Sequence, residues 1–189
     1  MKSDSANQIL LIATRQIGDV LLVTPLLRSL RRAYPTAIID VLVYDNKGGM
    51  LEGNPDYNNL ISVAEHPSFN EYQILFKQMV RRYDLAISTL PGDRPLIYAL
   101  LAAPQRVSVV PAKRWQDAWK RIVVPTWTKL DNQETHTVIQ NLRLADLLGI
   151  PRCYEIVVPQ SLDSSEKLTQ LLPFAWQKQA FAVLHLLPM

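Results

Sequence analysis

The residues best suited to chemistry lie together in one short segment near the start of the chain. Asp19 follows Gly18, and just before them come Thr14, Arg15 and Gln16. The Asp19 carboxylate serves either as a general base or as a cap on the first turn of a helix. Arg15 either binds a phosphate or carboxylate through its planar guanidinium or forms a surface ion pair. Thr14 and Gln16 either donate hydrogen bonds to a ligand or satisfy the turn itself.

The hydrophobic pattern around this segment predicts a strand, a turn and a helix. Residues 9–13 form a short apolar run that is typical of a buried first strand, and a helix is predicted to begin at Asp19. Gly18 permits a tight turn between the two elements. Since α/β sheets bind ligands outside the carboxyl ends of their parallel strands, the sequence predicts Asp19 at a ligand-binding edge.

Strands and helices are predicted to alternate along the rest of the chain. Apolar runs predict strands at 37–44, 60–63, 85–88, 106–110, 155–158 and 181–184. Helical spacing predicts helices at 19–34, 69–82, 95–101, 135–148 and 164–172. In the first helix, Pro25 either introduces a kink or lies in the first turn of a second segment that Thr24 caps. This alternation predicts an α/β fold with a Rossmann-like, doubly wound parallel sheet.

Positive charge is concentrated in one part of the chain. Residues 94–129 contain seven basic residues and one acid, although the whole chain has a net charge of only +3. This stretch forms either a basic face for phosphates or an anionic surface, or an ordinary solvated face. Arg94 follows a predicted strand and either reaches the same cleft as Asp19 or is solvated.

Tryptophans interleave with the basic residues of this stretch. Lys113 and Arg114 precede Trp115, and Trp119 precedes Lys120. The pattern suits a phosphorylated, lipid-linked ligand at a membrane surface. It equally suits tryptophans that pack into a core while their charged neighbours face water.

Length and composition exclude several classes of protein. The 189 residues suit one soluble domain with a real core. A single cysteine, Cys153, rules out an internal disulfide, is compatible with a reducing cytosol, and is expected to be a packed side chain. The polar leader and the short apolar runs predict neither an export signal nor a membrane span.

The chain lacks both glycine-rich nucleotide motifs and any metal-ligand spacing, which disfavours dehydrogenases, P-loop enzymes and metal sites. His136 is expected to begin a helix.

Several segments together resemble a known family. The chain is similar to glycosyltransferase family nine, the lipopolysaccharide heptosyltransferases, over roughly residues 9–184. The Gly18-Asp19 turn and Glu52-Gly-Asn-Pro55 are the more distinctive matches; the others are residues 9–35, 39–43, 83–87 and 141–149. The resemblance implies a GT-B fold made of two Rossmann-like domains, of which this chain is the N-terminal, acceptor-binding half. It predicts an acceptor-binding domain over residues 1–180 and the start of an interdomain segment at 181–189, with the remainder absent.

The resemblance also implies a reaction. Asp19 maps to the general base of an inverting transfer from an ADP-heptose donor to a phosphorylated lipopolysaccharide core, without a metal or cofactor. Such an enzyme works in the cytoplasm at the inner membrane surface and binds no nucleic acid. The residues expected to bind the acceptor are Thr14, Arg15, Gln16, Gly18, Arg94, Lys113 and Arg114.

Two other functions stay open on the sequence. One is a truncated, non-catalytic domain that binds an anionic glycan or a partner. The other is an unrelated nucleotide-binding enzyme. Near the end of the chain, Leu186 to Met189 depart from the glycine-containing continuation of the family, so no donor-site residue is assigned.

Overall fold

The computed structural model of the chain describes residues 6–111, 117–131, 134–159 and 169–170. Met1–Pro159 form one compact unit, which contains the sheet. Gln160–Met189 form a second unit, in which residues 169 and 170 are helical. The strand predicted at 181–184 and most of the helix predicted at 164–172 lie outside the described residues.

Strands and helices alternate through the first unit, as the sequence predicts. The strands are β1 (Gln8–Ile12), β2 (Ile38–Tyr44), β3 (Asn59–Val63), β4 (Leu85–Ser88), β5 (Gln105–Val110) and β6 (Thr126–Lys129). The helices are α1 (Ile17–Leu21), α2 (Thr24–Ala33), α3 (Phe69–Met79), α4 (Asp93–Ala102), α5 (Ala118–Val123) and α6 (Thr137–Leu148). A 3₁₀ turn at Gly48–Leu51 lies between β2 and β3.

The strands form a single parallel sheet with the order β3-β2-β1-β4-β5-β6. β1 is at the centre, where Ile9 pairs with Ile39 of β2 and with Leu85 of β4. This confirms the predicted Rossmann-like, doubly wound sheet. The strand order reverses between β1 and β4, and ligands of such sheets bind at the carboxyl edge beside this reversal.

Helices cover both faces of the sheet because alternate side chains of β1 point to opposite sides. Ile9 and Leu11 belong to a core that also includes buried side chains of α1, α2 and α6. Leu10 and Ile12 belong to a second core with buried side chains of α3 and α4. The two cores fix β1 from both sides, and its last residue, Ile12, leads directly into the Thr14 to Asp19 segment.

The helix predicted at 19–34 is two helices. α1 ends at Leu21, and α2 begins at Thr24 with Pro25 in its first turn, which confirms the two-segment alternative. Thr24 does not cap α2, because its hydroxyl donates to the carbonyl of Leu21 at 2.9 Å. α1 also begins earlier than predicted, at Ile17.

The strand predicted at 155–158 is wrong. Residues 151–159 have no regular secondary structure. The segment is held against α2 instead: the Cys153 N–H donates to Ser29 Oγ at 2.8 Å, and the Val157 N–H donates to Thr24 Oγ1 at 3.1 Å. The Cys153 side chain is buried and free, as expected.

The sixth strand comes from a stretch, residues 111–134, for which the sequence predicts neither a strand nor a helix. β6 is short and only partly buried, and α5 before it has six residues, so neither gives a clear periodic signal. α6 is confirmed together with both of its ends. His136 Nδ1 accepts a hydrogen bond from the Val138 N–H, and Gly149 ends the helix with a φ of 69°, in the left-handed region.

A buried polar group lies beneath the second core. Asp40 of β2 is 2% exposed, and its carboxyl oxygens accept hydrogen bonds from the Tyr83 hydroxyl and from Asn59 Nδ2, both at 2.8 Å. Burial and the bond to Asp40 raise the pKa of the Tyr83 hydroxyl, so the hydroxyl stays protonated as a donor at neutral pH. The hydrogen bonds of the buried Asp40 side chain therefore come from two uncharged donors.

Removal of the Tyr83 hydroxyl should destabilise the fold. Tyr83→Phe leaves one Asp40 oxygen without its donor, and we expect the free energy of unfolding to fall by about 1–3 kcal/mol. Urea denaturation measures the loss. The matched control is Tyr154→Phe, since Tyr154 is exposed and should change stability by less than about 0.5 kcal/mol. Equal stabilities of the two variants would show that the Tyr83 bond contributes nothing.

Candidate functional site

Asp19 lies at the carboxyl edge of the sheet, one turn after β1. Its side chain is 32% exposed and belongs to the first turn of α1, three residues after Gln16 at the N-cap. Among the described residues, no side chain caps α1. The capping role that the sequence left open for Asp19 is therefore wrong, and the carboxylate is accessible from solvent.

Arg15 is the charged neighbour of Asp19. Its Nε lies 3.7 Å from Asp19 Oδ2, and both side chains are about one-third exposed. The ion pair that the sequence gave as one alternative is thus present. At 3.7 Å the contact is longer than a hydrogen bond, so it does not occupy the lone pairs of the carboxylate. Pairs of this kind contribute about 0–1 kcal/mol to stability.

Gly18 does not form the tight turn that the sequence predicts. It lies within α1 and its φ is not positive, so the turn does not require a glycine for its backbone conformation. A Cβ atom placed on Gly18 would meet no atom within 4 Å. The chain itself therefore leaves open space beside this position, one residue before Asp19.

A cavity of about 400 Å³ opens at the same edge, where the strand order reverses. Four chain segments form its wall: the end of β1, the end of β2, the loop after β3 and the connection from β4 into α4. The lining residues are Thr14, Tyr44, Glu65, His66, Leu90, Gly92, Asp93, Arg94 and Pro95. Ligand pockets typically have volumes of about 300–1,000 Å³, so the cavity is large enough for a small ligand.

The cavity brings together two of the predicted site residues. Thr14 and Arg94 are distant in sequence and line the same space. The Arg94 Nη1 donates a hydrogen bond to the carbonyl of Glu65, which holds the guanidinium against the loop after β3. The Thr14 hydroxyl is buried and has no hydrogen-bond partner within the described residues. Arg15, Gln16, Gly18 and Asp19 do not line this cavity.

Lys120 forms a buried cationic anchor beside the cavity. It is 7% exposed, and its Nζ contacts Asp117 Oδ1 at 2.7 Å, Asp93 Oδ1 at 2.9 Å and the carbonyl of Pro91 at 2.9 Å. Burial lowers the pKa of Lys120, but the hydrogen bonds to Asp117 and Asp93 outweigh it, and the net direction is upward. The anchor ties α5 to the first residue of α4.

The basic stretch therefore does not form one solvated face. Trp119 is 37% exposed while Lys120 is buried, so these two residues do not follow the alternative in which tryptophans pack inside and charges face water. The guanidinium carbon of Arg121 lies 5.0 Å from the centre of the Trp127 ring, and Arg106 donates to the carbonyls of Val123 and Ala103. The predicted acceptor-binding residues Lys113 and Arg114 lie outside the described residues.

The Glu52-Gly-Asn-Pro55 segment supports α1. The 3₁₀ turn before it packs against α1, and Leu51 is fully buried in the first core. Asn54 Oδ1 accepts from the Asp56 N–H at 2.8 Å, and Asp56 is ion-paired with Arg28 of α2 at 2.6 Å. The segment is thus fixed to α2 and supports the element that carries Asp19.

Comparison with known proteins points to one kind of enzyme. No family model matches the chain. The chain is 27% identical over 180 residues to lipopolysaccharide heptosyltransferase 3 of Escherichia coli (strain K12), an alignment that covers 90% of this chain and 51% of the relative. Its fold is similar to a family 9 glycosyl transferase of Veillonella parvula, with a TM-score of 0.74 and 21% identity over 90% of this chain and 49% of that one.

A further structural match is the E. coli heptosyltransferase WaaC with ADP, at a TM-score of 0.61 and 18% identity over 78% of this chain and 49% of that one. The chain is therefore similar in sequence to a lipopolysaccharide heptosyltransferase and in fold to a family 9 glycosyl transferase. The resemblance to glycosyltransferase family nine is thereby confirmed, as is the Rossmann-like fold. The chain spans about half the length of the relatives that it matches. Within the described ranges, none of its helices has the length and apolar character needed to cross a bilayer.

The sequence did not predict three side chains that lie at the carboxyl edge of the sheet. Tyr44 and His66 line the cavity after β2 and β3, and Lys120 lies beside it. The rule that placed Asp19 after β1 also applies to β2 and β3, and it would have found Tyr44 and His66. No local pattern predicts that Lys120 is buried, because only Asp117 is close to it in sequence, whereas Asp93 and the carbonyl of Pro91 come from a distant part of the chain.

Removal of the Lys120 charge should destabilise the start of α4. Lys120→Met leaves the mostly buried Asp117 carboxylate without its cation, and we expect a loss of about 1–3 kcal/mol in urea denaturation. Asp117→Asn added to Lys120→Met should recover part of this loss, because it removes the unpaired charge. The control is the exposed Lys129→Met. If Lys120→Met is as stable as the control, the anchor has no energetic role.

Proposed function

We propose that this chain is the acceptor-side domain of an inverting heptosyltransferase that acts in lipopolysaccharide core synthesis. The sequence similarity to lipopolysaccharide heptosyltransferase 3, which covers 90% of the chain, is the observation that carries the proposal. In this proposal a second Rossmann-like domain, as the GT-B resemblance implies, binds the donor. The enzyme works in the cytoplasm at the inner membrane surface, where its lipid-linked acceptor is located.

Asp19 is the general base of the proposed reaction. An acceptor hydroxyl is a weak nucleophile, and a carboxylate within hydrogen-bond reach can take its proton as the oxygen attacks the anomeric carbon of ADP-heptose. The new bond joins the acceptor oxygen to that carbon. The bond to the β-phosphate oxygen breaks, and ADP leaves with the electron pair. The partial exposure of Asp19 and its long contact with Arg15 support this role.

The negative charge that develops on the departing ADP is stabilised, in this proposal, by the donor-binding domain. Departing ADP needs positive charge or helix N-termini around its phosphates, which the second domain would supply. The proposed reaction therefore needs no metal and no cofactor besides the nucleotide-sugar. Arg15, Gln16 and the open space beside Gly18 lie next to Asp19 and would contact the reacting part of the acceptor.

Substitution of Asp19 should abolish most of the transfer. Asp19→Asn keeps the size of the side chain but cannot accept the proton, so we expect kcat to fall about 10²- to 10⁴-fold with little change in KM. The measurement is sugar transfer from ADP-heptose to a lipopolysaccharide core acceptor by the full-length protein. The matched control is Asp146→Asn, which removes another aspartate that is ion-paired with an arginine, at the end of α6. Wild-type turnover by Asp19→Asn would refute the assignment.

Gly18→Ala tests whether the acceptor occupies the space beside α1. Because alanine favours a helix over glycine by about 1 kcal/mol and meets no atom of the chain, stability should stay equal or rise. We expect KM for the acceptor to rise several-fold while ADP-heptose binding is unchanged. Unchanged kinetics for both substrates would place the acceptor elsewhere.

The binding-only alternative makes a different prediction for these variants. A non-catalytic domain would retain its affinity for an anionic glycan in Asp19→Asn, and it would show no transfer in the wild-type protein. The half-length match to the relatives keeps this alternative relevant.

A further inference from the structure

Two buried side chains hold the end of α1. The Thr24 hydroxyl of α2 donates to the carbonyl of Leu21 at 2.9 Å, and Nδ2 of Asn141 in α6 donates to the carbonyl of Leu22 at 3.0 Å. The last carbonyl groups of a helix have no intrahelical donor, so these side chains satisfy groups that the helix itself leaves open. We call the Thr24 and Asn141 side chains the α1 clamp.

The remaining contacts fix the orientation of α1 only weakly. Of its five residues Val20 alone is buried, and the N-cap residue Gln16 makes no capping hydrogen bond with its side chain. The contact of Asp19 with Arg15, at 3.7 Å, is too long for a hydrogen bond. The α1 clamp therefore supplies directional bonds that tie the end of this short helix to α2 and α6.

The α1 clamp acts through the helix and not by contact with a ligand. Thr24 has no exposed surface and Asn141 is 3% exposed, so neither side chain is accessible to a substrate. Asp19 lies two residues before Leu21, which corresponds to a rise of about 3 Å along an α-helix. Any change in the height or tilt of α1 at its clamped end therefore moves the Asp19 carboxylate.

We propose that Thr24 and Asn141 are positioning residues for the Asp19 carboxylate. The inference rests on the proposed role of Asp19 as the general base. A base must lie within about 2.6–3.2 Å of the hydroxyl whose proton it takes, and a displacement of about 1 Å costs about 10²-fold in rate. The α1 clamp fixes the helix relative to α2 and α6, and it thereby holds the carboxylate at the distance that proton transfer requires.

Substitutions that keep side-chain size test the α1 clamp in the full-length protein. Thr24→Val and Asn141→Leu each remove a donor to α1 and leave nearly the same volume. We expect each to lower kcat for transfer from ADP-heptose about 10- to 100-fold, with the KM values of both substrates within about twofold of wild type. Thr24→Ser, which keeps the hydroxyl, should retain kcat within about threefold. Circular dichroism checks that each variant is folded.

Ser29 provides the matched control for Thr24. Its buried hydroxyl donates to the carbonyl of Pro25 and accepts from the Cys153 N–H, and neither partner belongs to α1. The Thr24 hydroxyl likewise accepts a backbone N–H of the 151–159 segment, that of Val157. Ser29→Ala therefore loses the same kinds of bond as Thr24→Val. It should lose a similar amount of stability in urea but keep kcat within about twofold.

Gln140 provides the matched control for Asn141. It is the preceding residue of α6, it is buried, and its amide bonds the Asp131 N–H and the carbonyl of Lys129 instead of α1. Gln140→Met should also reduce stability in urea and keep kcat within about twofold.

Two measurements separate positioning from a general loss of stability. Thr24→Val added to Asp19→Asn should lower kcat by less than about twofold further, because the α1 clamp then has no base to position. Amide hydrogen exchange of residues 17–22, followed by mass spectrometry, should be at least about tenfold faster in Thr24→Val and Asn141→Leu than in their controls. The exchange measurement does not depend on the transfer reaction.

The outcomes distinguish failure of this inference from failure of the proposed function. Wild-type turnover by Asp19→Asn refutes the base assignment and the positioning role together. If Asp19→Asn loses turnover while the α1 clamp variants match their controls in kcat, the positioning role alone is wrong. The same conclusion follows if exchange in α1 equals that of the controls, or if Thr24→Val lowers kcat as strongly in Asp19→Asn as in the wild type.

Discussion

The structure depends on the burial of β1 between two cores. The side chains of Ile9 to Ile12 have no exposed surface, and the strand is hydrogen-bonded to β2 on one side and to β4 on the other. The chain crosses one face of the sheet after β1 and the other face after β4. The crossovers therefore diverge above the ends of these two strands and leave a gap. Asp19 and the 400 Å³ cavity both lie at this edge of the sheet.

Charged groups at this edge are of two kinds. Lys120 is buried, has three oxygen partners and links α5 to α4, so it holds the wall of the cavity in one arrangement. Arg15 and Asp19 are partly exposed and only loosely paired. A buried group whose hydrogen bonds are all formed suits a structural role. An exposed group with unused donors or acceptors can instead bind a ligand. The contrast separates the scaffold from the residues available for chemistry.

Local signals in the sequence predicted most of the elements. The apolar run of β1, the helical spacing of α3 and α6, and Gly149 as a helix end all act over a few residues, and the structure confirms them. The segment at 155–158 looked like a strand because it is a short apolar run, but the Val157 N–H donates to the hydroxyl of Thr24 in α2. The position of Asp19 at this edge could be predicted because it lies one turn after β1. The cavity was not found as a whole, because four separated segments build it.

The shortness of α1 has a consequence for the carboxylate that it carries. The helix has five residues, and Val20 is the only one that is buried. Isolated helices of this length do not persist in water, so α1 owes its order to the 3₁₀ turn and to α2. Local opening of this single turn exposes little apolar surface and therefore costs much less free energy than global unfolding. Asp19 thus lies on a helix that can open locally while the sheet beneath it stays folded.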